Sequence, residues 1–118
     1  MDNVKFTVPA EIYVVNFGDN DGSVQCGIRP AVIVSNPRDA AASPVVLVCP
    51  LTSQKKKTRP THVIISNEKY PELNASESTV LCEQITLISK TNLGRRITTL
   101  SPDDFYRVMM ATKESLAF

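Results

Sequence analysis

The sequence is poor in the residues from which most metal and acid–base sites are built. It has one histidine, His62, so a histidine pair for proton transfer is excluded. Its three cysteines, Cys26, Cys49 and Cys82, have no C-x-x-C spacing and only that histidine to join them, which argues against zinc. Acidic residues are scattered singly except for Asp19/Asp21 and Asp103/Asp104. The first pair sits in a Gly/Asn loop without the spacing of a calcium loop, and the second opens a helical pattern, so neither is placed to hold two ions. No metal or cofactor is expected. No apolar run approaches the ~18 residues of a membrane span, and Met1–Lys5 lacks the apolar segment of a secretory signal; a cytoplasmic protein with no membrane association is expected. The formal net charge is only +1, so any nucleic-acid contact must come from local clustering of the 13 basic residues.

The chain that remains is an ordinary globular one. Its 118 residues, 42% hydrophobic and 21% charged, suffice for a single domain over 1–118, and no internal repeat divides it. Strands are expected at 11–17, with Tyr13, Val15 and Phe17 on one face and Ile12 and Val14 on the other, and at 31–34, 45–51, 60–66 and 78–85, the last extended by Leu87-Ile88. Apolar groups on both strand faces suit a small antiparallel barrel partly covered by a helix or a partner. Residues 37–44 read as a turn-rich connection and 67–73 as one short helical turn. The terminal segment is a helix: Ser101 caps, Pro102 suits the first turn, Asp103 and Asp104 complement the dipole, and Phe105, Val108, Met109, Thr112 and Leu116 form its apolar stripe. Cys49 and Cys82 lie in apolar runs and are expected to be buried. Cys26 lies in the loop before Arg29, where a redox role is conceivable.

Two junctions carry the chemistry. In Ser23-Val24-Gln25-Cys26-Gly27-Ile28-Arg29-Pro30, a glycine-bearing loop runs into an apolar strand with Arg29 at the boundary. In Pro50-Leu51-Thr52-Ser53-Gln54, a second apolar strand ends in hydroxyl and amide groups. If the two strands are neighbours, Arg29 and Thr52 share a mouth, with both side chains partly exposed. The basic cluster Lys55-Lys56-Lys57-Thr58-Arg59 follows directly; such a run is commonly a solvated loop, but here it is placed to hold phosphates. His62 needs a partner to act as a base. Glu83 and Gln84 interrupt an apolar strand and so either face solvent at an edge or enter a site.

Gln25-x-Gly27-x-Arg29-Pro30, Pro50-x-Thr52 and Leu81-Cys82-Glu83-Gln84-Ile85 together resemble the MazF/PemK toxins, ribonucleases of toxin–antitoxin modules. The likeness runs from Glu11–Phe17 through Pro60–Val63 to the terminal helix, with the motifs in family order. It implies a mainly β, SH3-like antiparallel barrel of the CcdB/MazF kind with a C-terminal helix, and a homodimer. It implies a sequence-specific endoribonuclease of single-stranded RNA, with Arg29 and Thr52 as the catalytic pair and Glu83 as a possible base or substrate-binding group. Ser23, Gln25, Ser53, Gln54, Lys55, Lys56, Lys57 and Gln84 are then RNA-binding candidates. A cognate antitoxin is the implied protein partner, and operator DNA is met only through the antitoxin complex.

RNA cleavage without a metal requires a 2′-hydroxyl aligned on the adjacent phosphorus, charge stabilisation of the phosphorane, and a proton for the leaving 5′-oxygen. Arg29 suits the second task, since its planar fork stays charged; Thr52 adds a hydroxyl to the same phosphate. Arginine is a poor base, which leaves the acceptor of the 2′-proton open; the resemblance, which gives Glu83 base or substrate-binding work, makes it the candidate. The chain departs from the family at Val24, where many members carry an acidic residue, and at Thr86 and Ser89, which replace a common arginine and acidic residue; base choice and dimer contacts are the functions these touch. Two alternatives stand beside this reading: a CcdB-like toxin that binds gyrase without cleaving RNA, and a degenerate toxin kept for antitoxin binding.

Overall fold

The computed structural model describes residues 5–19 and 26–116. In chain order the elements are β1 (Glu11–Asn16), β2 (Ile28–Ile33), α1 (Pro37–Ala42), β3 (Val45–Thr52), β4 (His62–Ser66), β5 (Glu77–Leu81), β6 (Thr86–Ser89), β7 (Leu93–Thr99) and α2 (Pro102–Ser115), with short 3-10 turns at Cys82–Gln84 and Lys90–Asn92. The strands form one antiparallel sheet in the order β4-β5-β3-β2-β1-β7, and β6 also pairs with β3. The expected class, mainly β with a C-terminal helix, is found. The hydrogen-bonded ladder does not close into a barrel, since β4 and β7 stand at its two ends.

β3 is the shared strand. β2 pairs with it at Ala31↔Pro50, Val32↔Cys49 and Ile33↔Val48. Its other edge serves two partners: β6 at Val45–Val48 and β5 at Leu51 and Thr52. The long strand expected over 78–85 is broken for this reason. Continued without interruption, the β5 register would set Val48 opposite Glu83, yet Thr86 pairs there, an offset of three residues. The three-residue turn Cys82–Gln84 absorbs that offset, lifting Glu83 and Gln84 out of the ladder.

Alternation along the strands fills both faces. Ile12, Val32, Cys49, Leu51, Val80 and Cys82 pack on one side with Tyr70, Leu73 and residues Val108 and Ala111 of α2. Tyr13, Val15, Ala31, Ile33, Val46 and Val48 pack on the other with Ala40 of α1. Both Cys49 and Cys82 are buried, as expected. Each fully buried Val, Leu or Ile in these clusters contributes about 2 kcal/mol.

Three local departures have identifiable causes. Residues 37–42 are helical because the Asn36 side chain accepts from the Asp39 N–H at 2.9 Å, donates back to the Asp39 carboxylate at 2.8 Å, and is followed by Pro37 at the first turn. The Ala40 carbonyl receives the buried Lys90 ammonium at 2.6 Å, and Lys90 also reaches the Lys5 carbonyl at 2.8 Å, while burial pushes its pKa down. Residues 67–73 form turns rather than a helix, and β7, unread in the sequence, pairs with β1 through a bulged register.

On α2 the stripe is rotated from the one expected: Val108, Ala111 and Thr112 are buried, whereas Met109 and Leu116 are exposed. Asp104 is also buried, drawn inward by Tyr70. The Tyr70 hydroxyl donates to Asp104 at 2.5 Å, Lys69 reaches the same oxygen at 2.9 Å, and Arg107 meets the other at 3.0 Å. Burial by itself would raise the Asp104 pKa; hydrogen bonds from Tyr70, Lys69 and Arg107 outweigh it and hold the carboxyl at about 2. Because the folded-state value is depressed, the stability it supplies is complete above the ordinary carboxylate range and is lost as pH falls from about 4 towards 2. Asp104→Asn is expected to lower unfolding free energy at neutral pH by about 2 kcal/mol, with a smaller deficit in acid. Urea denaturation across that pH range measures both.

Candidate active site

β2 begins at a hairpin end pinned by backbone. Gly27 adopts φ +75°, its N–H donates to the Gly18 carbonyl at 2.7 Å, and its own carbonyl accepts from Phe17 at 2.9 Å. Two residues on, Arg29 stands opposite Val15 of β1. The β2/β3 register, continued two residues past Ala31↔Pro50, sets Arg29 opposite Thr52. The junctions read from the sequence are therefore adjacent, and both residues line one cleft of about 310 Å³.

Each of the two is partly restrained and partly available. The Arg29 Nε donates to the Cys26 carbonyl at 2.8 Å, and neither Nη has a partner among the described residues. That planar fork is free for an anion that presents two acceptor oxygens, such as a phosphate. The Thr52 Oγ1 accepts from the Gln54 N–H at 3.2 Å, which leaves its own proton to donate. Thr52 is not partly exposed as expected: it is 3% accessible, because β5 pairs at Thr79 and covers this end of β3. Arg29 is half-buried, in line with the expectation.

The remaining walls hold residues that sequence reasoning missed. Glu72 and Asn74 come from the β4–β5 loop, Ser78 from β5, and Arg95 and Ile97 from β7. Ser53 lines this cleft too. Glu72 and Arg95 lie in no recognised motif; the β-branched run at 97–99 was the available signal for the strand that delivers Arg95.

Glu83 and Gln84 belong to a second cleft of about 500 Å³, with Lys56, Lys57, Arg59 and His62. Here His62 has the partner it needed: its Nε2 lies 3.1 Å from Glu83 Oε2, with side chains 6% and 27% accessible. His62 Nδ1 and Glu83 Oε1 are buried with no hydrogen-bond partner. Glu83 thus neighbours a histidine and the basic loop; it does not line the cleft of Arg29 and Thr52. Gln54 and Lys55 lie exposed on the loop between the clefts. Ser23, Val24 and Gln25 fall outside the described residues. Among the described residues no three His, Cys, Asp or Glu side chains gather as metal ligands.

Comparison with known proteins identifies the family and the fold of the chain. The family described as the PemK-like, MazF-like toxins of type II toxin–antitoxin systems matches residues 9–116. The Endoribonuclease MazF of Staphylococcus saprophyticus subsp. saprophyticus is 36% identical over 107 residues, 90% of this chain and 88% of that protein. Among solved structures, MazF from Deinococcus radiodurans superposes with a TM-score of 0.78 at 21% identity, covering 99% of this chain and all (100%) of that one. A mycobacterial endoribonuclease in complex with its cognate antitoxin gives 0.76 at 22% identity over 94% and 95% of the two chains. At such identities the superpositions speak to the fold; the sequence match over nearly the whole chain speaks to kinship. The chain belongs to the PemK-like, MazF-like toxins of type II toxin–antitoxin systems.

Proposed function

We propose that this chain is a sequence-specific, metal-independent endoribonuclease that cuts single-stranded RNA by internal attack of the 2′-hydroxyl and is neutralised by a cognate antitoxin. The observation that carries the reading is the cleft in which the free Arg29 fork and the Thr52 hydroxyl meet. The curated relative named an endoribonuclease supports it. As the 2′-oxygen bonds to phosphorus, charge builds on the two non-bridging oxygens; the Arg29 Nη groups and the Thr52 O–H are donors already fixed where that charge develops. The bond to the 5′-oxygen then breaks, leaving a 2′,3′-cyclic phosphate and a 5′-hydroxyl. Beyond the reacting bond, Lys56, Lys57 and Arg59 offer the flanking phosphates a basic wall, and Ser53, Gln54, Lys55, Glu83 and Gln84 offer polar contacts on the way to it.

Arg29→Ala and Thr52→Val are each expected to lower cleavage by about a hundredfold or more, the usual loss of one preorganised donor. Valine is the informative replacement because Thr52 is buried and the isostere keeps its shape. Both variants should melt near the parent temperature, and near-parental cleavage by either with unchanged melting would remove the assignment.

Among the described residues the cleft contains one carboxylate, Glu72, beside guanidinium, hydroxyl and amide groups, whereas two-metal hydrolysis uses several carboxylates to hold ions about 4 Å apart. Cleavage is therefore expected to persist in excess EDTA and to stop when the single ribose before the cut is replaced by deoxyribose, with binding retained. End-group analysis of the products checks the same chemistry.

The antitoxin and a second copy of the chain are the proposed protein partners. The cognate-antitoxin complex of the mycobacterial neighbour supports the first. Large apolar groups left accessible, including Ile28 at 71%, Tyr106 at 65% and Leu87 at 58%, support a covered surface. Light scattering is expected to give about twice the 13.0 kDa chain mass at micromolar concentration; a fully active strict monomer would contradict the dimer.

A further inference from the structure

Internal attack needs a proton acceptor beside the 2′-hydroxyl. A guanidinium has no lone pair to give, and the neutral Thr52 hydroxyl, held by the Gln54 N–H, is too weak a base. Glu83, the carboxylate favoured from the sequence, stands in the other cleft against His62. Glu72 stands in the right one, and among the described residues it is the sole carboxylate lining it. Its side chain is exposed and makes no hydrogen bond or ion pair among the described residues.

The backbone that carries it is nonetheless anchored. Tyr70 and Leu73, the buried residues on either side, insert into the core, and the Leu73 N–H donates to the Tyr70 carbonyl at 3.0 Å, so a tight turn presents Glu72 to the cleft. Arg29 and Arg95 line the same space. A phosphate drawn to the two guanidiniums brings its own ribose with it, and the remaining charged group is the carboxylate.

We propose, building on the ribonuclease reading above, that Glu72 is the general base of the Arg29–Thr52 cleft. The 2′-O–H proton passes to a Glu72 oxygen as the freed lone pair forms the O2′–P bond. The P–O5′ bond breaks with its electron pair on O5′, which takes a proton from water at the open mouth. Glu72 then returns its proton to solvent, and no other reactant is consumed.

The test is steady-state cleavage of one transcript by the full chain as a function of pH, with Glu72→Gln, Glu72→Asp, Glu83→Gln and Arg29→Ala in parallel. Glu72→Gln is expected to lower kcat by about 10²–10⁴ with KM little changed. The parent rate should fall on the acid side as the base is protonated; Glu72→Gln should lose that limb and Glu72→Asp should restore part of the rate. Glu83→Gln, whatever its rate, should keep the limb. Parental kcat and an intact acid limb in Glu72→Gln, or loss of the limb in Glu83→Gln instead, would overturn the assignment. If the parent cleaves and Arg29→Ala does not, such a result condemns Glu72 alone. If the parent leaves the transcript whole, the ribonuclease reading falls and takes this base with it.

Discussion

The fold depends on one strand satisfying three partners. β3 gives one edge to β2 and divides the other between β6 and β5, and a polypeptide cannot supply two ladders of different register along one edge without a break. The break falls at Cys82–Gln84, and its consequences reach both clefts. Upstream of it β5 covers the end of β3 and buries Thr52. Within it two polar side chains leave the sheet for the second cleft. A single register constraint thus buries the catalytic candidate Thr52 and separates it from Glu83, the carboxylate that the family resemblance had favoured.

Two clefts follow, joined by the loop that leaves Thr52. Ser53 touches the first, and Lys56, Lys57 and Arg59 touch the second. Their chemical characters differ: the first holds isolated donors and one carboxylate, the second concentrates lysines and an arginine around a His62–Glu83 pair. On the proposed reading this is a division between bond-breaking and holding the flanking strand. With a net charge of only +1, the chain has no long-range field to spare, so attraction for an anionic polymer must be local to that loop.

What the sequence disclosed followed periodicity and motif. The alternation in 11–17 foretold a strand filled on both faces, and Tyr13 with Val15 and Ile12 do enter opposite clusters. Adjacency of Arg29 and Thr52 was conditional on strand order, which no local pattern encodes; it became visible only with the β2/β3 register. Glu83 and Gln84 marked an interruption within Ser78–Ile85 but not that the strand ends there, because the competing demand came from β3, far away in sequence. β7 was missed because Gly94, Arg95 and Arg96 mask the β-branched residues after them, and with β7 went Arg95. Asp104 obeyed the helix-cap pattern yet lies buried, because Tyr70, remote in sequence, supplies a hydroxyl that a pattern of charges does not reveal.

A domain of this size has few means of holding donors still, and the site uses the cheapest of them, its own backbone. The Cys26 carbonyl fixes the Arg29 Nε without using the fork, and the Gln54 amide fixes Thr52 without using its proton. On the proposed reading, the restraint on Arg29 acts on a nitrogen the phosphate would not touch, and the one on Thr52 takes a lone pair of Oγ1 and leaves its proton to donate. Side-chain order is therefore established before any ligand arrives, which spares the reorganisation that a flexible arginine and threonine would need at the moment charge develops. Charged partners could not have done this as well, because a carboxylate paired to Arg29 would compete with the phosphate for the same nitrogens. The neutrality of the restraining groups is what allows the cleft to stay cationic at Arg29 and still be rigid.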